Sequence, residues 1–125
     1  MVRVHMSNVM NTPAEVVEAE FPIRIECQHL RQGSGGAGRQ RGGEGLHRAY
    51  RVLTDDMSVT SMFERRVVPP YGLQGGEPGA PFRVTVSHAD GRETDLPGKA
   101  NVRLGCGDVV VVESCGGGGY GTPEA

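Results

Sequence analysis

Pro22-Ile-Arg-Ile-Glu-Cys-Gln28 alternates apolar and polar residues one for one. Ile23, Ile25 and Cys27 form one side of that pattern and Arg24, Glu26 and Gln28 the other, the signature of a strand with one buried and one wet face. Comparable short runs follow at Leu46–Leu53, Ser58–Phe63, Phe82–His88, Asn101–Leu104 and Asp108–Glu113. Val109 to Val112 is unbroken and predicts a strand covered on both faces. Glycine and proline signals separate these runs, so the expected fold is mainly β, a sandwich- or barrel-like antiparallel domain spanning residues 1–125. Met1 to Met10, where Val2, Val4 and Met6 alternate with Arg3 and His5, reads as a further short strand. A chain that opens inside such a pattern suggests upstream sequence.

One helix is expected, near the amino end. Thr12 offers a capping hydroxyl, Pro13 suits a first helical position, and Glu15 completes a Thr-x-x-Glu capping box. The acidic run Ala14 to Glu20 favours a helix amino end. Pro22 disfavours helical geometry at Phe21, which limits the helix to about two turns.

Composition narrows the function. The chain has 125 residues, 37% of them hydrophobic, with no tryptophan and 20 glycines. This predicts a thin core and loops that lean on a neighbouring surface. The net charge of −2 supplies no electrostatic reason for a nucleic-acid partner. No apolar run reaches bilayer length, and the start carries no signal-peptide pattern. Cys27, Cys106 and Cys115 form no CxxC pair, so free thiols and a cytoplasmic setting are the expectation.

Most of the glycine is concentrated in Gly33-Ser-Gly-Gly-Ala-Gly-Arg-Gln-Arg-Gly-Gly-Glu-Gly45, Pro69-Pro-Tyr-Gly-Leu-Gln-Gly-Gly-Glu-Pro-Gly79 and Cys115-Gly-Gly-Gly-Gly-Tyr-Gly121. The first contains a GxGxxG match at Gly33, Gly35 and Gly38. A strand follows it rather than a helix, and no Gly-Lys-Ser/Thr is present, so a β-to-β connection using positive φ angles is the better reading. Arg39 and Arg41 suit bidentate binding of an acidic group on a neighbouring chain. The second segment offers Tyr71 and Glu77 on a solvated or interface loop. In the third, Tyr120 is expected to anchor the chain end while the glycines pack on other backbone.

Catalytic groups do not assemble in the sequence. His5, His29, His47 and His88 are widely spaced and form no HxH or HxxxH pair, so no metal ligand is assigned. Ser34, Cys106 and Cys115 have glycine neighbours and no evident base. Asp55-Asp56 reads as a solvated turn.

The ordered series Asn11-Thr-Pro-Ala-Glu-Val-Val-Glu18, Phe21-Pro-Ile-Arg24 and the first glycine segment resembles the hydantoinase B/oxoprolinase family. The second glycine segment, Gly98-Lys99, Gly105-Cys-Gly-Asp108 and Gly116-Gly-Gly-Gly-Tyr-Gly121 continue it in the same order, from about His5 to Pro123. The resemblance implies part of an ATP-dependent enzyme that opens cyclic amides such as 5-oxoproline or N-methylhydantoin. Related complexes carboxylate ketones. It further implies the carboxy-terminal portion of a B-type subunit, partnered by an upstream B-type region and a hydantoinase A-type subunit that binds nucleotide. ATP and a divalent metal are expected for the complete enzyme and neither for this segment alone. Cys115 stands where the family commonly has proline, and Cys106 is untypical in its turn. Arg39, Arg41, Tyr71, Glu77, Lys99 and Tyr120 are the expected binding or interface residues, with no catalytic residue assigned. A stand-alone interaction module or gene remnant is the alternative reading, and a segment of a ketone carboxylase the second.

Overall fold

A computed structural model describes residues 11–123; the strand expected over residues 1–10 lies outside them. The elements are helix α1 (Ala14–Glu20) and strands β1 (Ile23–Arg31), β2 (Gly45–Val52), β3 (Met57–Met62), β4 (Arg83–Ser87), β5 (Glu93–Asp95), β6 (Lys99–Leu104) and β7 (Val109–Glu113). The helix ends where expected: Phe21 is extended, with ψ 145, as a residue before proline prefers. Its start differs. Pro13 itself takes the cap position, with no side-chain hydrogen bond, so Thr12 falls one residue too early to close the expected capping box. Glu15 remains in the first turn, where its charge favours the helix dipole.

Five strands pair antiparallel in the order β1-β2-β7-β4-β5, and β3 pairs with β6 in a second, two-stranded sheet. The two pack as a sandwich. Val52, Val84, Val86, Leu96, Leu104 and Val110 are buried between them, flanked by Met57, Val59, Phe63, Phe82, Val102 and Val112. Alternation explains the second sheet's contribution: Met57, Val59 and Ser61 on β3 face the same side as Leu104, Val102 and Ala100 on β6. Phe63 stacks on Phe82 with ring centroids 4.3 Å apart, closing one end.

Two expectations change. β7 is indeed the central strand, yet the second sheet covers one of its faces only. Val110 is buried and Val112 packs on the core, while Val109 and Val111 on the opposite face are half-buried. In β1 a bulge lies between Ile25 and Cys27: Ile25 sits opposite Tyr50, but Cys27 sits opposite Ala49. Tyr50 and Ala49 point to opposite sheet faces, so the bulge moves Cys27 off the face of Ile23 and Ile25. Glu26, the extra residue, reaches Arg51 on the outer face at 2.6 Å.

Candidate functional site

The three glycine-rich segments meet. Gly36 N donates to Gly117 O at 2.8 Å, Gly117 N to Gly43 O at 2.8 Å, Glu77 N to Ala37 O at 2.7 Å and Gly119 N to Glu77 O at 2.9 Å. Gln40 and Tyr120 exchange backbone hydrogen bonds at 2.8 and 2.9 Å. Backbone lies on backbone with no room for side chains: a Cβ on Gly116 would strike Ser34 O, and one on Gly42 would strike Gly117 O. Close approach, more than positive φ, accounts for the glycine. In the first segment Gly33 alone has a positive φ, of 76.

Ser34 and Glu44 lock the junction to β2. Glu44 Oε2 accepts from Ser34 N and lies 2.9 Å from Ser34 Oγ, and Gly45 N donates to Ser34 Oγ at 2.7 Å. The hydrogen bonds from the Ser34 hydroxyl and amide hold the Glu44 carboxyl below the usual carboxylate range. The amides of Gly36, Arg39, Gln40 and Gly42 are spent on Gly117, Gly121, Tyr120 and Gly36 carbonyls. Those four amides are therefore not free to cradle a phosphate.

Of the expected interface residues, Arg39, Arg41, Tyr71, Glu77 and Tyr120 belong to the junction and are exposed. Arg41 leans on Glu44 of its own loop, 3.5 Å away, with its side chain still 60% exposed. A guanidinium carries five donors, so this ion pair leaves capacity for a partner. Tyr71 is 67% exposed, and its carbonyl lies against Gly118. Tyr120 anchors the chain end through its backbone, bridging Gln40 and Leu73, while its ring stays 47% exposed. Lys99 does not join them in that web. It opens β6 and lines a groove with Phe63, Arg65, Val67 and Val68, where Val67 is 89% exposed.

A polar chain absent from the sequence reading ties the β4–β5 turn to the β6–β7 turn. Asp108, buried at 6% exposure, accepts from Gly105 N at 3.0 Å and Ala89 N at 2.9 Å, and lies 3.2 Å from His88 Nδ1. His88 Nε2 lies 3.2 Å from Thr94 Oγ1. Burial opposes charge on Asp108, but the two amides and His88 outweigh it and hold the carboxyl below its usual range. The order Asp-His-Thr imitates a nucleophile relay, yet Thr94 pairs with Val86, on the sheet face that packs the core. Its hydroxyl therefore serves the clasp. Asp55 also differs from a merely solvated turn residue, since its Oδ1 accepts Cys106 N at 2.9 Å. Cys27, Cys106 and Cys115 are all free thiols. Among the described residues one group of possible metal ligands converges, Cys27, His29 and His47.

The profile of the hydantoinase B/oxoprolinase family matches residues 1–123. An uncharacterized protein of Methanocaldococcus jannaschii is 44% identical over 91% of this chain and 20% of its own length. The 5-oxoprolinase PfmaA of Pestalotiopsis fici is 34% identical over 98% of this chain and 10% of its own. Among solved structures, the ATP-dependent caprolactamase from Pseudomonas jessenii superposes with a TM-score of 0.74 at 25% identity, covering 90% of this chain and 20% of that one. The chain thus spans 8 to 20% of the length of the curated relatives it matches. With the profile matched over almost its whole length, the chain belongs to the hydantoinase B/oxoprolinase family.

Proposed function

We propose that this chain is the docking β-sandwich of an ATP-dependent enzyme that opens cyclic amides of the 5-oxoproline or hydantoin class. The single observation that carries the proposal is the glycine junction. It fixes three loops mainly by backbone contacts and leaves Arg39, Arg41, Tyr71, Glu77 and Tyr120 exposed around it. Rigid backbone bearing exposed Arg and Tyr is what a protein interface recruits, because little backbone entropy is lost on docking. The polar chain at Asp108 is consumed in holding turns, which supports placing the reacting groups in other parts of the enzyme. In this reading ATP and a divalent cation are held by the upstream B-type region and a hydantoinase A-type partner, in the cytoplasm. The chain spans only a small share of its relatives' length, and 5-oxoprolinase and caprolactamase stand among the proteins it resembles.

The test is co-expression with an A-type subunit and an upstream B-type region, followed by co-purification and assays of ATP-dependent 5-oxoproline and hydantoin hydrolysis. Ring opening by the complex, and none by the chain alone, is expected. Stable association without ATP turnover on either amide would identify a non-catalytic interaction module instead.

A further inference from the structure

The outer face of the five-stranded sheet carries side chains that neither the core nor the glycine junction uses. The bulge at Glu26 puts Cys27 opposite Ala49, and His29 pairs directly with His47. Residues two apart on a strand share a face, so Cys27, His29 and His47 face outward together. One donor atom from each lies within 4.8 Å of the other two. The imidazoles stack with centroids 4.6 Å apart and planes 9° from parallel.

Each ring is oriented through the same nitrogen. His29 Nδ1 lies 3.0 Å from Leu30 O, and His47 Nδ1 lies 3.5 Å from Glu113 Oε1. An Nδ1 proton donated by His29 to Leu30 O leaves its Nε2 lone pair as a ligand, and the Glu113 carboxylate beside His47 Nδ1 favours the same tautomer there. Such outer carbonyl and carboxylate partners are what fix metal-binding histidines. Glu113 is steadied in turn by Arg31 Nε, 3.4 Å from its Oε1.

We infer that Cys27, His29 and His47 form a binding site for a borderline-soft divalent cation, with Zn²⁺ the best match. One thiolate and two imidazoles are the donors such ions select, and hard cations such as Mg²⁺ and Ca²⁺ prefer oxygen. Three protein ligands leave a fourth position for water or an added ligand. Tetrahedral zinc bonds separate neighbouring donors by roughly 3.3–3.6 Å, so the present spacing must contract. His29 is exposed and His47 half-buried, which leaves both rings room to turn. On binding, the Cys27 S–H bond breaks, a sulfur–metal bond forms and the proton passes to solvent. The site is independent of the docking role proposed above.

Cobalt titration of the metal-stripped 125-residue chain tests the inference, with far-ultraviolet circular dichroism confirming that each variant is folded. One equivalent of Co²⁺ is expected to bind with a thiolate charge-transfer band and to be displaced by Zn²⁺. Cys27→Ser should abolish that band and weaken Zn²⁺ binding at least ~100-fold, with about tenfold weakening for Glu113→Gln. Cys106→Ser and Cys115→Ser should leave the spectrum unchanged. If Cys27→Ser does not fold, His29→Gln on the exposed edge strand carries the same comparison and should also weaken Zn²⁺ at least ~100-fold. No saturable Co²⁺ uptake by the folded chain, or a charge-transfer band that survives Cys27→Ser, overturns the site.

Discussion

Asp108 and Gly116 carry more of the structure than their size suggests. Asp108 is buried, and its carboxylate satisfies two backbone amides and His88 at the meeting of two turns. Asp108→Asn presents an amide N–H₂ to donors that need acceptors, so a loss of about 2–3 kcal/mol in urea unfolding at pH 7 is expected. The folded carboxyl is held below its ordinary value, as are those of Glu44 and Asp95. Their stabilisation is therefore complete above the unfolded carboxylate range and lost as pH falls through the lower folded values. Wild-type stability should drop below about pH 4, and the gap to Asp108→Asn should narrow there. Gly116 makes a different case, because any Cβ at that position meets the Ser34 carbonyl. Gly116→Ala should cost more than ~4 kcal/mol or prevent folding, an exceptional loss for one methyl group. Gly91→Ala, with φ +86 but open space around it, should cost only ~1–2 kcal/mol. Equal thermal unfolding of the two variants would contradict the packing account of the glycines.

At the scale of elements, period-two alternation made most strands legible. The observed β2, β3, β4, β6 and β7 lie within a residue or two of the apolar runs. β5 was not legible because Glu93-Thr94-Asp95 buries no apolar side chain that a pattern reveals. The β1 bulge was also hidden, since an inserted residue leaves the written alternation intact while it turns the later residues to the other face. That one event separates Cys27 from the core and sets it beside two histidines contributed by different strands. The clue in sequence was Cys27-x-His29 on a strand; the third member depended on register. Arg39, Arg41, Tyr71, Glu77 and Tyr120 were legible as a set because glycine-rich loops surround all of them, whereas Lys99 was carried along by a motif at the other sheet. The core itself is small, so single residues matter. Val86→Ala, at a site 0% exposed, should cost about 2–3 kcal/mol by denaturant unfolding. The Arg66–Asp95 pair, with its shorter contact at 2.7 Å, is screened by solvent, so Arg66→Ala should leave denaturant unfolding nearly unchanged.

As a whole molecule the chain is a sandwich closed at one end by aromatic stacking and braced by three interlocked glycine loops. Among the described residues its most exposed large hydrophobic side chains, Val67, Met62, Tyr71 and Val68, lie outside the core on β3 and the segment that follows it. The family profile covers this whole arrangement, and the relatives carry several times more chain. A docking role predicts that Arg41→Ala weakens association with the A-type subunit and upstream region while the thermal unfolding of the isolated chain changes little. A large stability loss would instead make Arg41 an internal staple through Glu44. The most direct measurement is ATP-dependent 5-oxoproline and hydantoin hydrolysis by the co-purified complex, run with and without this chain. Amide opening that appears only when the chain is present is the expected result. A complex that contains the chain, holds together and turns over no ATP on either amide would contradict it.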